Sequence, residues 1–87
     1  MVELILYARE GCHLCEEAEL QLKVLQTSFP FNVKQIDIET DDQLNLKYGL
    51  SIPVIEYKGQ VIQEGKIDTG KLILILQKIM EDNGCTI

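Results

Sequence analysis

Two cysteines stand three residues apart, in the segment Cys12-His13-Leu14-Cys15, at a point where the pattern of the chain changes. The preceding segment, Val2 to Tyr7, is short and apolar with branched residues, which predicts a buried strand. The following segment predicts a helix from His13 to about Thr27, before Pro30, because its apolar residues recur at helical spacing. These expected core residues are Leu14, Ala18, Leu22 and Leu25. The cysteine pair is therefore expected at the junction of the first strand and the first helix.

The next segments predict a second strand and a short second helix. Four apolar residues define the strand, and they are Phe31, Val33, Ile36 and Ile38. Thr40-Asp41-Asp42 is typical of a helix N-cap. The helix that it begins, roughly Asp42 to Tyr48, is expected to end at Gly49.

The last part of the chain predicts a hairpin and a longer helix. Pro53 to Tyr57 is the expected third strand, Lys58-Gly59 the turn, and Gln60 to Gln63 the returning strand. The final helix is expected from about Asp68 to Glu81. Its buried stripe is expected to contain Leu72, Ile75, Leu76 and Ile79.

This order of elements, β-α-β-α-β-β-α, predicts an α/β fold. A right-handed β-α-β unit makes the first two strands parallel, and the hairpin adds two antiparallel strands. The expected architecture is a four-stranded mixed sheet with helices on both faces. The chain has 87 residues, which suffices for one compact domain, so residues 1–87 are expected to form a single domain.

The chain is acidic, with 14 acidic and 8 basic residues and a formal net charge of −6. This charge disfavours nucleic acid and anionic membranes as partners, because both attract basic surfaces. The longest unbroken apolar run, Leu72 to Leu76, is too short to span a bilayer. The segment from Met1 to Tyr7 lacks the basic leader and cleavage site of a secretory signal, so a cytoplasmic location is expected.

The position of the cysteine pair indicates thiol chemistry. Thiol–disulfide exchange requires a thiolate, and the unpaired N–H groups and partial positive charge of a helix N-terminus would favour one on Cys12. Cys15 falls on the same side of the first turn, near enough to close a disulfide. A protonated His13 would help the thiolate, whereas Glu16 and Glu17 would oppose it. Cys12 is therefore the expected attacking thiol, and Cys15 the resolving one.

Two other uses of a cysteine pair compete with this one. A four-ligand zinc site needs two more ligands, and the chain offers only His13, inside the motif, and Cys85, remote in sequence. A structural disulfide is rare in a reducing cytosol. The strand–Cys-x-x-Cys–helix context favours a redox pair, so no metal site is expected. Cys85 is expected to be a bystander, because the last helix carries it about 20 Å away from Cys12.

Ser51-Ile52-Pro53-Val54 is the second candidate motif. A proline is tolerated at the start of a strand, and a trans bond is the general rule there. A cis proline facing the cysteines would instead free the backbone of Ile52 to pair with an extended substrate. Because the Cys-x-x-Cys pair lies upstream, a cis bond between Ile52 and Pro53 is predicted.

Together these motifs resemble the glutaredoxins of the thioredoxin-fold superfamily. They are most similar to the small bacterial and archaeal glutaredoxin-like proteins that carry Cys-His-Leu-Cys. The resemblance covers essentially the whole chain and rests on Tyr7 to Cys15, Ile52-Pro53-Val54, and Gly65 with Asp68. It implies a thioredoxin-like fold of the glutaredoxin type. His13 and Leu14 replace the usual Pro-Tyr pair between the cysteines.

The resemblance also implies a glutathione site. In glutaredoxins a basic residue at the position of Arg9 holds one carboxylate of glutathione, and the backbone at Ile52 pairs with the tripeptide. The start of the last helix, with Asp68, receives the other carboxylate. A solvated loop charge would also explain Arg9, and a helix N-cap would explain Asp68. The expected substrate- or glutathione-contacting residues are Arg9, His13, Ile52, Pro53, Ile67 and Asp68.

The expected function is that of a disulfide oxidoreductase. Cys12 attacks a protein or glutathione mixed disulfide, and Cys15 resolves the intermediate. Electrons arrive through thiols, so no organic cofactor is expected; glutathione is a possible co-substrate, and an upstream thiol reductant is an expected partner. The protein is expected to be a monomer.

Two other classes of function stay open at this point. The first is a thioredoxin-like binding or adaptor module whose cysteines do not turn over. The second is an iron–sulfur or metal carrier, in which Cys12 from two chains holds a cluster with glutathione. The presence of both Cys12 and Cys15 disfavours the carrier, which usually relies on one cysteine.

Overall fold

A computed structural model describes residues 2–82 of the chain. The strands are β1 (Val2–Ala8), β2 (Phe31–Asp37), β3 (Val54–Tyr57) and β4 (Gln60–Glu64). The helices are α1 (His13–Leu25), α2 (Asp42–Tyr48) and α3 (Thr69–Asp82), and a single 3-10 turn, Ile38–Thr40, follows β2. The predicted order of strands and α-helices is therefore confirmed.

The four strands form one mixed sheet in the order β2-β1-β3-β4. β1 pairs in parallel with β2, while β3 pairs antiparallel with both β1 and β4. The parallel pair requires a crossover, which α1 supplies, and this crossover returns the chain to the end of the sheet where β2 begins. The mixed sheet expected from the sequence is thus the observed one.

Side chains of β1 are buried on both faces of the sheet. Leu6 and Leu22 of α1 line the same small cavity, so α1 covers the face to which Leu6 points. The neighbouring side chain, Tyr7, points to the opposite face, where its ring lies 4.7 Å from that of Tyr48 in α2. Helices therefore cover both faces, as predicted.

The first helix begins at His13 as predicted, but it differs from its prediction in its last residue and in one member of its apolar set. It ends at Leu25 rather than Thr27, because the chain turns there and the N–H of Phe29 donates to the Leu25 carbonyl at 2.9 Å. Its buried residues are Cys15, Ala18, Leu22 and Leu25. The prediction that Leu14 is buried is wrong, since 38% of this residue is exposed. Leu14 precedes Cys15 by about 100° of helix rotation, which turns it to the edge of the buried face.

The second strand ends one residue earlier than predicted. Ile38 is fully buried, but it belongs to the 3-10 turn and not to β2. The turn begins here because the Asp37 carboxylate accepts a hydrogen bond from the N–H of Glu39 at 2.9 Å. Side chains of this kind compete with the sheet for backbone donors, and so they end strands.

Differences elsewhere are small. β3 begins at Val54, one residue after Pro53, and α3 begins at Thr69 because Asp68 is its cap. In α3 the buried residues are Leu72, Leu76, Ile79 and Met80, while Ile75 of the predicted stripe is half-buried. The prediction for Cys85 lies outside the described residues.

The hairpin turn has the expected composition for a physical reason. Lys58 and Gly59 both have positive φ, at 50° and 82°, as a two-residue turn of type I′ requires. Glycine adopts such a conformation without steric cost, so Gly59 allows β3 to reverse into β4 with Tyr57 paired to Gln60. Within residues 2–82, no helix has the length and apolar character that crossing a membrane needs.

Two leucines of α3 test this description of the core. Leu76 is fully buried, whereas 66% of Leu74 is exposed. We expect Leu76→Ala to lower the free energy of unfolding by about 2–5 kcal/mol, because it leaves a cavity. Leu74→Ala should change it by less than about 0.5 kcal/mol. Equilibrium denaturation in urea measures both, and equal losses would contradict the assigned helix face.

Candidate active site

Cys12 and Cys15 form a disulfide at the start of α1, with their Cα atoms 5.1 Å apart. Cys12 is the N-cap of the helix, and its Sγ accepts a hydrogen bond from the N–H of Cys15 at 3.2 Å. Gly11, just before it, has a φ of +79°, a value that a side chain would strain. The chain thus turns sharply out of β1 and places the Cys12 sulfur against the free N–H groups of the helix.

The two sulfurs lie in different surroundings. Cys15 is only 4% exposed and belongs to the hydrophobic core, whereas Cys12 is half-buried at the edge of that core. A helix N-terminus favours a thiolate through its N–H groups and partial positive charge, and both effects decline within the first turn. The geometry therefore supports the predicted division between an accessible attacking sulfur and a shielded resolving sulfur.

His13 points away from the core, with its side chain 83% exposed. Its Nε2 lies 3.2 Å from a carboxylate oxygen of Glu17, one helical turn later. Glu16 also occupies the first turn of α1. The imidazole that would favour a Cys12 thiolate is therefore paired with one of the carboxylates that would oppose it.

Ile52 and Pro53 are buried, and the peptide bond between them is cis. The carbonyl of Tyr48 accepts hydrogen bonds from the N–H groups of Ser51, at 2.9 Å, and Ile52, at 3.1 Å. Of the two backbone groups of Ile52, the residue expected to pair with a substrate, the N–H is thus already bonded within the chain. Across residues 2–82, no backbone N–H donates to the Ile52 carbonyl, so this oxygen is the group that an extended substrate could use.

Arg9 lies in the loop between β1 and α1, and it is also paired within the chain. Its Nε lies 3.9 Å from a carboxylate oxygen of Glu39, and both side chains are substantially exposed. Arg9 lines an open depression of about 400 Å³, whose wall also includes Glu10 and Asp37. The guanidinium that was expected to bind an anionic ligand is therefore paired with one carboxylate, and two more carboxyl-bearing residues line the same depression.

Asp68 caps the last helix. Its carboxylate accepts the N–H of Lys71 at 3.1 Å, and its carbonyl accepts the N–H of Leu72 at 2.9 Å. The side-chain amide of Gln63 bonds to both backbone groups of Asp68, accepting from its N–H at 2.7 Å and donating to its carbonyl at 2.9 Å. Ile67 is buried beside it. The contacts of Asp68 are thus those of a helix N-cap. Sequence reasoning missed the part that Gln63 plays in holding it.

A second cluster that sequence reasoning missed lies on the face of the sheet covered by α2. The hydroxyls of Tyr7 and Tyr48 both donate to the carboxylate of Glu56, at 3.3 and 3.1 Å. Burial, then the nearby Glu56 charge and Tyr48, raise the pKa of Tyr7 above its ordinary value. The available sequence signal was a glutamate within the predicted third strand, whose other residues are largely apolar.

The described part of the chain, residues 2–82, contains no group of three or more His, Cys, Asp or Glu side chains placed to hold a metal ion. The elements that carry the site instead define a class of protein. A four-stranded mixed sheet with three helices, and a Cys-x-x-Cys pair at the start of the first helix, is the thioredoxin-like arrangement with a redox-type centre.

The family of glutaredoxin-like domains (DUF836) matches residues 3–77 of the chain. This protein therefore belongs to the glutaredoxin-like family. No curated protein shows a significant match to it.

Solved structures agree with this assignment. The solution structure of protein Ne2328 from Nitrosomonas europaea is 31% identical, with a TM-score of 0.77 over 86% of this chain and 91% of that one. The X-ray structure of protein XcR50 from X. campestris is 30% identical, with a TM-score of 0.70 over 86% and 96%. A mutant thioredoxin from Halobacterium salinarum, 23% identical, shares the fold with a TM-score of 0.64 over 88% and 73%.

The unequal surroundings of the two cysteines predict unequal reactivity in the reduced protein. With iodoacetamide at pH 7, the Cys15→Ser variant should be alkylated at Cys12 at least about ten-fold faster than the Cys12→Ser variant at Cys15. The cause is that Cys12 combines access with the N–H groups of the helix terminus. Peptide mapping by mass spectrometry over time gives both rates separately from any labelling of Cys85, the third cysteine of the sequence. Faster labelling of Cys15 would reverse the assignment of the nucleophile.

Proposed function

We propose that this protein is a thiol–disulfide oxidoreductase, with Cys12 as nucleophile and Cys15 as resolving cysteine. The observation that carries the proposal is the position of the Cys12 sulfur as N-cap of α1, bonded to the N–H of Cys15. A sulfur in this position is stabilised as a thiolate, and it remains accessible to a substrate disulfide. The membership in the glutaredoxin-like family supports the same class of chemistry.

The proposed reaction has two exchange steps. The Cys12 thiolate attacks one sulfur of the substrate disulfide, forming a mixed disulfide and releasing the other substrate sulfur as a thiolate, which takes a proton from solvent. The Cys15 sulfur, having lost its proton, then attacks Cys12 Sγ and releases the second substrate thiol. The substrate gains two electrons and the protein forms the Cys12–Cys15 disulfide seen in the structure. An upstream thiol reductant, proposed to act in the cytoplasm, restores the dithiol.

The contacts around the site favour a protein disulfide over glutathione as substrate. Two of the groups expected to hold the carboxylates of the tripeptide have a partner inside the chain: Arg9 has Glu39, and the Asp68 N–H has the Gln63 side chain. Glutathione would have to displace these partners. A protein substrate instead gains from a larger buried surface and depends less on such single contacts.

A comparison of two substrates tests the proposal. We expect the reduced protein to accelerate the reduction of insulin disulfides by dithiothreitol, because Cys12 is an activated thiolate. It should turn over a glutathione mixed disulfide less efficiently, measured as kcat/KM. Cys12→Ser should abolish both activities. Turnover of neither substrate by the wild-type protein would instead support the adaptor module.

The pairing of Arg9 with Glu39 predicts a gain of glutathione activity on substitution. Glu39→Gln removes the competing charge, and kcat/KM for the glutathione mixed disulfide should rise about two- to five-fold, since an exposed ion pair is worth no more than about 1 kcal/mol. The activity toward insulin should stay unchanged. Glu19→Gln, which removes a similar exposed ion pair with Lys23 on α1, is the matched control.

The double variant Arg9→Ala with Glu39→Gln separates the pair from a general charge effect. It should show no gain in glutathione activity, because the freed guanidinium is then missing. An equal gain in the double variant would mean that Glu39 acts through the net charge of the surface and not through Arg9.

A further inference from the structure

One carboxylate joins two buried tyrosines on the face of the sheet opposite to α1. Oε1 of Glu56 accepts the Tyr7 hydroxyl at 3.3 Å, and Oε2 accepts the Tyr48 hydroxyl at 3.1 Å. Tyr7 and Tyr48 are only 8% and 5% exposed, and their rings lie 4.7 Å apart. We refer to these three residues as the Glu56 bridge.

Each residue of the Glu56 bridge lies within five residues of an active-site residue in the sequence. Tyr7 precedes Cys12 by five residues at the end of β1, and Tyr48 precedes Ile52 by four residues at the end of α2. Glu56 itself follows Pro53 by three residues, in β3. The bridge therefore connects the strand that delivers the nucleophile with both ends of the segment that carries Ile52 and Pro53.

Sheet hydrogen bonds already fix two of these three points. Tyr7 pairs with Val54, and Ile5 pairs with Glu56, in the ladder between β1 and β3. Tyr48 lies outside the sheet, at the end of a helix of seven residues. A helix this short has little stability of its own, so its position depends on tertiary contacts. Among residues 2–82, the bond to Glu56 is thus the side-chain hydrogen bond that ties Tyr48 to the sheet.

The position of Tyr48 in turn determines that of the next segment. Its carbonyl accepts the N–H groups of Ser51 and Ile52, at 2.9 and 3.1 Å. Those two bonds set the backbone just before Pro53, including the Ile52 carbonyl that an extended substrate would meet. A displacement of the Tyr48 side chain would therefore move the Tyr48 backbone as well. Because the Ile52 N–H is bonded to the Tyr48 carbonyl, the Ile52 carbonyl would shift with it.

From this chain of contacts we propose that Glu56 is a positioning residue for substrate binding: through Tyr48 it holds the backbone at Ile52 in register with Cys12. The proposal rests on the proposed function in one respect, since a substrate strand has to bind at Ile52. A carboxylate at a half-buried position costs desolvation that an apolar side chain would avoid. Its two hydrogen bonds fix a geometry that packing alone would leave looser.

Amide hydrogen exchange tests the link without reference to activity. In Tyr48→Phe the ring stays and only the bond to Glu56 is lost, so the exchange rates of the Ser51 and Ile52 amides should rise about ten-fold. Amides on the other face, such as that of Ala18, should keep their rates. Glu56→Gln should retain most of the protection, because its amide can accept from one tyrosine and donate to the other. Unchanged rates at Ser51 and Ile52 in a folded Tyr48→Phe variant would overturn the proposal.

Kinetics distinguish positioning from a loss of structure or chemistry. In Tyr48→Phe and Glu56→Leu, the KM for insulin disulfides should rise several-fold while kcat and the rate of Cys12 alkylation change by less than about two-fold. Glu64→Leu, which removes an exposed carboxylate from β4, should leave all three values unchanged. A parallel fall in kcat and in alkylation would overturn the assignment. If the wild-type protein reduces no disulfide, the proposed function fails, and the exchange measurement still decides whether the bridge holds Ile52.

Discussion

The burial of β1 on both faces is the constraint on which the rest of the structure depends. β1 lies between β2 and β3 with its side chains packed under helices on each side, so neither its register nor its direction can change without exposing part of the core. Because β2 runs parallel to β1, the connecting helix has to start at the end of β1 and return across the sheet. The N-terminus of α1, and with it Cys12, is thereby fixed at the carboxyl end of β1 by topology alone.

At that terminus the helix backbone, and not a charged side chain, is the group available to stabilise a thiolate on Cys12. His13 is paired with Glu17, and Arg9 is paired with Glu39, so the two basic side chains nearest to Cys12 in sequence each have a carboxylate partner. What remains is the helix itself, whose first turn donates the Cys15 N–H directly to the Cys12 sulfur. A thiolate stabilised in this way depends on the cap geometry, and therefore on the turn at Gly11, more than on the protonation of any side chain.

The sequence was informative where local chemistry decides the structure. The cysteine pair, Gly59 in its turn and the apolar periodicity of α1 and α3 each depend on neighbours in the chain, so pattern reasoning found them. Ile38 was misplaced because the Asp37 side chain, and not hydrophobicity, ends β2. The bond between Gln63 and Asp68 and the Glu56 bridge depend on which side chains the folded sheet brings together, and no sequence spacing encodes that.

The same internal contacts bear on how the site would discriminate among substrates. An intramolecular partner such as Glu39 is always present next to Arg9, so a free ligand carboxylate competes with it at a disadvantage set by effective concentration. The Asp68 N–H and the Ile52 N–H are satisfied in the same manner. A small anionic ligand draws most of its affinity from such groups, whereas a protein substrate adds apolar and backbone contacts along an extended strand. Under the proposed function, the polar groups near the accessible Cys12 already have partners within the chain, and this shifts the substrate preference toward protein disulfides. The exchange chemistry at Cys12 itself is not reduced.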